Sequence, residues 1–213
     1  NDMISETGIL YGINQHTGWL VIFDRFNSKL PNMNSCVLAT SGAGKSFTVK
    51  LEVLRYLLNG IDILIIDPEN EYKTLAEKVG WTYVNIATSS QQFINPFDIP
   101  PQISDIEYGK GDLLRSQIMT LIGLIKLLIG DLTTEEEALL DKALQSTYGL
   151  KWFSMDAMSY DGKQPPLMED LMNVLDGMEG GEKIALKLSK YVSGTFGKLF
   201  NNYTNVDINN AMT

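Results

Sequence analysis

The chain has 213 residues, 44% of them hydrophobic and 20% charged, with a formal net charge of −9; that is enough for one large domain or two small ones with a buried core. The acidic balance argues against a broadly basic surface that coats nucleic acid and leaves room only for a local patch. One cysteine, Cys36, excludes an internal disulfide and a cysteine-rich metal site, and one histidine, His16, set in the turn-like Gln15-His16-Thr17-Gly18, argues against histidine-based catalysis.

In chain order, residues 8–14 and 19–23 read as two short strands joined by the 15–18 turn, a predicted hairpin. Its aromatic residues Tyr11, Trp19 and Phe23 have two uses open to them, an approach to an adenine ring or packing in the hairpin core, and packing is the default. Residues 36–39 predict a short buried strand in which Cys36 is a small hydrophobe. That run breaks into Ala39-Thr40-Ser41-Gly42-Ala43-Gly44-Lys45-Ser46, the pattern G-x-x-x-x-G-K-[ST] with Ala39 in the first position. Small residues let successive backbone N–H groups converge on phosphate oxygens, and a helix starting immediately afterwards turns its positive end toward the anion. Ser41, Gly42, Ala43, Gly44, Lys45, Ser46 and Phe47 are therefore the candidate nucleotide-binding residues. Lys45 reaches the β- and γ-phosphates, and Ser46 offers its hydroxyl to Mg²⁺. The following helix carries Phe47, Leu51, Leu54 and Leu58 at helical spacing and stops at Asn59-Gly60.

Residues 61–67 are nearly continuous in apolar character, as a strand buried on both faces would be. Strand, helix and strand make the right-handed crossover unit of a parallel sheet. Asp67 and Glu71, in Asp67-Pro68-Glu69-Asn70-Glu71-Tyr72, leave the carboxyl end of that strand, where open α/β sheets place their ligands. They are candidate catalytic carboxylates, holding a metal-bound water or sensing the γ-phosphate. The other reading makes Asp67 a strand terminator and Glu71 part of a first helical turn. Asp67 is followed by Pro68, not by Glu, so it does not complete an apolar-run-Asp-Glu element, and no clear one occurs elsewhere. A short helix over 72–79 closed by Gly80 and another strand over 81–86 complete the α/β part.

A polar stretch leads to Phe93-Ile94-Asn95-Pro96-Phe97-Asp98, and Pro100-Pro101 with Gly109 to Gly111 marks a long connection. From 112 to about 194 no strand-like segment occurs. Leu114, Ile118, Leu121, Ile125 and Leu128 form one helical seam, widened by Leu113, Ile122, Leu124 and Leu127; Arg115, Gln117 and Lys126 interrupt a run already short for a bilayer. Thr133 with Glu136 predicts a capping box for a helix carried by Leu140, Leu144 and Thr147 and ended at Gly149. Pro165-Pro166 opens another, with Leu167, Leu171, Leu175 and Met178 in line, and Gly180-Gly181 divides it from a last helix through Val192. There Lys183, Lys187 and Lys190 lie opposite Ile184, Leu188 and Tyr191, a solvated face by default or a stripe meeting phosphate.

The ordered set Gly8-Ile9-Leu10-Tyr11-Gly12-Ile13-Asn14, Asp24-Arg25-Phe26, Asn34 through Ser46, Asp67 through Tyr72, Ile94-Asn95-Pro96-Phe97 and Gly194-Thr195-Phe196-Gly197-Lys198-Leu199-Phe200-Asn201 resembles the carboxy-terminal ATPase domain of conjugation and type IV secretion ATPases. These are the VirB-type, TrbE-like and CagE-like proteins of the HerA/FtsK group. The resemblance implies an α/β P-loop NTPase (RecA-like) parallel sheet with an all-α helical insertion. Residues 1–104 would form the hairpin and P-loop core, 105–194 the insertion, and 195–213 the return toward the core. It implies ATP and Mg²⁺ as cofactors and a homo-oligomer, hexamer or dimer, acting with other secretion components. It also implies a cytoplasmic place, peripheral to the inner membrane, and use of ATP for pilus assembly or transfer of a DNA or protein substrate. In that family the Walker B Asp-Glu and the arginine finger follow the region where this chain stops. The chain, opening at Asn1 without an initiator methionine and ending at 209–213 without an evident closing element, is expected to be a piece of something longer, with negligible hydrolysis by itself.

Overall fold

The element order is β1 (Ile9–Ile13), β2 (Leu20–Phe23), α1 (Lys45–Leu58), α2 (Lys73–Val79), α3 (Asp112–Ile129), α4 (Thr134–Leu150), α5 (Met168–Asp176), α6 (Glu182–Val192) and α7 (Gly197–Phe200). The structure, a computed structural model, describes residues 8–100, 109–157, 159–160 and 162–206. Pro101, the boundary expected at 104/105 and the terminus at 209–213 lie outside the described residues. The chain divides into two compact units, one holding the described residues up to Tyr83 and the other beginning at Val84.

In the first unit β1 and β2 form an antiparallel hairpin. Its turn closes because Asn14 Oδ1 accepts from the amides of His16 (2.9 Å) and Thr17 (3.1 Å), an Asx turn of the kind that short amide side chains make with their own backbone. His16 is exposed in it, as the sequence predicts. The register pairs Leu10 with Ile22 and Gly12 with Val21, so Tyr11 is an extra, bulged residue. A bulge bends its strand and re-aims the side chain it carries. Here Tyr11 packs edge-on to Phe23, ring centroids 5.9 Å apart, while Trp19 is exposed. Of the two uses open to these rings, Tyr11 and Phe23 take packing.

Helix α1 begins and ends where predicted, but it buries a different face. Phe47 and Leu58 are 71% and 87% exposed, whereas Glu52, Val53 and Tyr56 are buried. Val49, Glu52, Val53 and Tyr56 follow the i, i+3, i+4, i+7 spacing of one helical stripe, and α1 packs against β1. Of the more apolar stripe, Leu51 and Leu54 are only half-buried and Phe47 and Leu58 stay in solvent.

The expected strands are corrected as well. Residues 36–39, 61–67 and 81–86 make no ladder, so the hairpin is the only sheet among the described residues. A buried parallel strand needs partners on its edges and cover on its faces; Leu38, Leu64, Ile66 and Ile86 are instead exposed. Cys36, expected inside a strand, is exposed for that reason.

The second unit is helical, and no strand occurs among its described residues. Its core is drawn from α3 (Leu114, Ile118, Leu121, Ile125), α4 (Leu140, Leu144), α5 (Met168, Leu171, Leu175) and α6 (Ile184, Leu188), all nearly inaccessible. This is the seam the 3–4 spacing predicts, except that Leu127 falls on the outer side of α3 at 86% exposure. Both halves of the capping box at α4 form: Glu136 N donates to Thr133 Oγ1 (3.2 Å) and Thr133 N to Glu136 Oε2 (2.8 Å). The Thr133 contacts hold the Glu136 carboxyl below its ordinary range, helped by Lys187 and Lys183. Lys183, Lys187 and Lys190 are exposed.

Helix α4 runs to Leu150, past the predicted stop at Gly149. The Trp152 amide donates to Gly149 O (3.0 Å) and the Phe153 amide to Tyr148 O (3.0 Å), with Tyr148 and Phe153 rings 5.5 Å apart. That is a Schellman cap, and its left-handed residue is Trp152, φ +66.

Two motifs close this unit. Asn95 is buried; its Nδ2 donates to Pro166 O (2.9 Å), its Oδ1 accepts from the Phe97 amide (3.1 Å), and its own amide donates to Thr204 Oγ1 (2.7 Å). Asn205 bonds to Phe93 through both backbone and side chain and donates to Gln91 O (2.7 Å). The segments leading into and out of the helices are thus stitched side by side. Downstream, a Cβ on Gly194 would meet the Lys190 backbone at 2.6 Å and one on Gly197 would meet Val192 O at 2.3 Å. This close approach folds 194–201 back over α6, so that Phe196 and Phe200 pack on Tyr191, whose Oη donates to Leu128 O at the end of α3 (2.7 Å).

Candidate functional site

The stretch from Thr40 to Phe47 is a turn that runs straight into a helix. The Ala43 amide donates to Thr40 O (3.1 Å); Gly42 has φ +77 and Gly44, the residue before α1, has φ +90 and ψ +17. Both lie in the left-handed region that L side chains resist, so the two glycines have a conformational reason to be there. Ala39, standing where the pattern has its first glycine, needs no such freedom, because Asn70 and Trp152 are the only non-glycine residues with positive φ among those described.

The start of α1 carries no side-chain cap and no acidic residue in its first turn. The first amides of a helix have no partner within it and lie at its positive end. A phosphate fits that vicinity: the loop is exposed, and nothing lies within 4 Å of the side where a Cβ on Gly42 or Gly44 would project. Lys45 is exposed and forms no ion pair among the described residues. Thr48 Oγ1 donates to Gly44 O (3.0 Å), so the first turn is held from within. Ser41, Gly42, Ala43, Gly44, Lys45, Ser46 and Phe47 are all at one end of one helix, the Phe47 ring being largely in solvent.

Asp67 and Glu71 take different places. Asp67 Oδ2 accepts from the Tyr72 amide (2.8 Å), the residue before α2, and 61–67 forms no strand for it to terminate. Asn70 sits between them with φ +57, and its Oδ1 accepts from Tyr83 Oη (2.7 Å). Glu71 is exposed. Tyr72 links this turn to α1, its ring 5.2 Å from Lys50 Nζ; burial, with Glu71 and Asp67 nearby, raises its phenol above the ordinary value. No group of three or more His, Cys, Asp or Glu side chains suited to a metal occurs among the described residues, so Ser46 is the one candidate metal contact at the loop.

Sequence reasoning passed over Glu52. Its carboxylate is buried at the hairpin, where Tyr11 Oη donates to Oε1 (2.6 Å) and Arg25 pairs with it. The available signal was a single acid on the stripe Val49, Glu52, Val53, Tyr56.

A glycine loop with two left-handed residues feeding an uncapped helix is the local arrangement of the P-loop NTPase class. The family model described as "Helicase HerA, central domain" matches residues 17–213, and the chain belongs to that family. The fold is similar to the structure of VirB4 of Thermoanaerobacter pseudethanolicus, with a TM-score of 0.79 and 28% sequence identity over 96% of this chain. The chain spans 55% of that protein's length. No curated protein matches. No described helix is long and apolar enough to cross a membrane.

Proposed function

We propose that this chain is the phosphate-binding part of an ATP-hydrolysing motor domain in a type IV secretion or conjugative transfer system, powering pilus assembly or substrate translocation. The observation that carries the reading is the loop at the head of α1, with Gly42 and Gly44 in left-handed conformations and no cap or acid opposing an anion. Membership in the HerA central-domain family and the likeness to VirB4 support it.

In this reading the amides of the loop and of Lys45, Ser46 and Phe47 hold phosphate oxygens, and the Lys45 ammonium neutralises charge on the β- and γ-phosphates of ATP. Ser46 gives its hydroxyl to Mg²⁺, which when bound offsets phosphate charge. Asp67 and Glu71 remain the candidate carboxylates; Asp67 serves α2 through the Tyr72 amide, so Glu71 is the more open of the two. In this reading the apolar segments 36–39, 61–67 and 81–86, which make no ladder among the described residues, would pair as strands of a parallel sheet, and the helical unit is an insertion whose flanking segments are stitched together at Asn95, Thr204 and Asn205. The domain organisation that goes with this is a core to residue 104, an insertion over 105–194 and a return from 195. The working form is a homo-oligomer, hexamer or dimer, with other secretion components at the cytoplasmic face of the inner membrane, passing a protein or DNA substrate.

A second reading, a nucleotide-responsive assembly module with little turnover, is favoured by the engagement of Asp67 with the Tyr72 amide. A HerA/FtsK-like DNA translocase is a third, with α6's exposed lysines as its contact. Calorimetric titration of MgATP into this chain, with Lys45→Ala alongside, tests the site. Saturable heat in the wild type that Lys45→Ala reduces at least tenfold is expected; indistinguishable heats refute the nucleotide site. Turnover by this chain is expected to be negligible, and robust turnover abolished by Lys45→Ala would overturn the second reading and promote Asp67 or Glu71.

A further inference from the structure

The described apolar core of the first unit is small: Ile9, Val53, Tyr56 and Ala76 are its buried hydrophobic residues. Against that, the hairpin and α1 share a charged cluster. Glu52 Oε1 accepts from Tyr11 Oη (2.6 Å) and pairs with Arg25 Nη2, with the Glu52 side chain only 11% exposed and that of Arg25 24%. Arg25 lies over the Tyr56 ring, Cζ 5.5 Å from its centroid, and Arg55 Nη1 donates to Leu10 O. Burial and the Glu52 carboxylate push the Tyr11 phenol well above its ordinary value, so Tyr11 stays a donor at any working pH.

Burying a carboxylate is unfavourable unless it is paired and hydrogen-bonded, and removing one partner strands the other. A sequence with Val49, Val53 and Tyr56 on the same stripe could have completed an apolar contact by placing a hydrophobe at 52. It places a charge there instead, and the strand opposite spends a bulge on Tyr11 to reach it. A charged, directional contact fixes one geometry where an apolar one permits sliding. What it fixes is α1: Glu52 is seven residues, about two turns or 10 Å along a rigid helix, from Lys45.

We infer that Glu52 is a positioning residue for the phosphate loop: gripped by Tyr11 and Arg25, it sets the orientation of α1 on the hairpin and thereby the affinity of the loop for nucleoside triphosphate. The inference rests on the reading of the loop given above. Arg25 Nη2 also donates to Tyr11 Oη (3.5 Å), while two other donors in the cluster, Arg25 Nε and Tyr56 Oη, are buried without a partner, so Glu52 is the carboxylate on which Tyr11 and Arg25 converge.

The test measures MgATP affinity by calorimetry and exchange of the hairpin amides by hydrogen–deuterium exchange in the full chain, for Tyr11→Phe, Glu52→Gln, their double variant, Glu52→Arg, and the charge exchange Arg25→Glu with Glu52→Arg, each with a thermal melt. Each single variant is expected to weaken ATP about three- to tenfold and to speed exchange at β1 and β2. The double variant is expected to be no weaker than the worse single one, and the charge exchange to recover most of the affinity lost by Glu52→Arg alone. Faster hairpin exchange with ATP affinity unchanged would make the cluster structural only and overturn the inference while leaving the nucleotide site standing. Losses that add in the double variant, or a charge exchange without recovery, would also overturn it. A wild type that gives no more heat than Lys45→Ala would remove the nucleotide site itself, and the inference with it.

Discussion

Replacing Gly44 by alanine isolates backbone conformation from sterics at the loop. Gly44 holds φ +90 and ψ +17, and an added Cβ there meets no atom within 4 Å. The methyl group has room; what it lacks is a permitted backbone. An L-residue in the left-handed region costs about 1–2 kcal/mol relative to its ordinary wells. In the unliganded chain the loop relaxes to avoid that cost, which is open to it because residues 40–45 are exposed and tied mainly by the Ala43 amide to Thr40 O. Phosphate binding must then restore the left-handed turn, so the cost transfers to the affinity, about 5- to 30-fold weaker MgATP. The assay is calorimetry beside Ala43→Gly, a position without positive φ, expected within about threefold of wild type. The melting temperature is expected to be nearly unchanged for both. An affinity for Gly44→Ala within twofold of wild type would refute the assignment of this conformation to the phosphate-bound loop.

Two further substitutions probe the helical unit. Trp152→Gly should stabilise it, because Trp152 occupies the left-handed position of the α4 cap while its side chain is 84% exposed; relief of about 1 kcal/mol should raise the melting temperature by ~3–5 °C, and a drop would mean that the indole contributes contacts outweighing the strain. Asn95→Ala should leave Pro166 O and the Phe97 amide buried without their partner, a loss of about 2–4 kcal/mol read in a denaturant midpoint, with exchange rising at Phe93 and Asn205 first; an unchanged midpoint would mean that those groups find other partners.

The helical half was legible in some detail. The seam Leu114, Ile118, Leu121, Ile125 is buried as spaced, and Thr133 with Glu136 makes both capping bonds, because each depends on neighbours within a few residues or on a face that any bundle buries. Leu127 misled because apolar character alone does not say on which side of α3 the neighbours stand. The same fault recurs at α1, where Phe47, Leu51, Leu54 and Leu58 looked like the buried face and Glu52 was passed over. The Asn95 and Gly194–Gly197 motifs were visible as patterns, but not as stitches, since their partners lie about a hundred residues away or across a helix end.

The conformation of the 40–47 loop was legible in the sequence, because it is local: small residues, two glycines able to take left-handed turns, and a helix starting at Lys45 are written within eight positions. Which backbone amide Asp67 holds, which partners Glu52 meets, and which face of α1 is covered were decided only by tertiary structure. Asp67 turned to the Tyr72 amide and Glu52 turned to Tyr11 and Arg25 are outcomes of chain segments meeting across five to forty-one residues, and no period or composition within either segment encodes which partner it will meet.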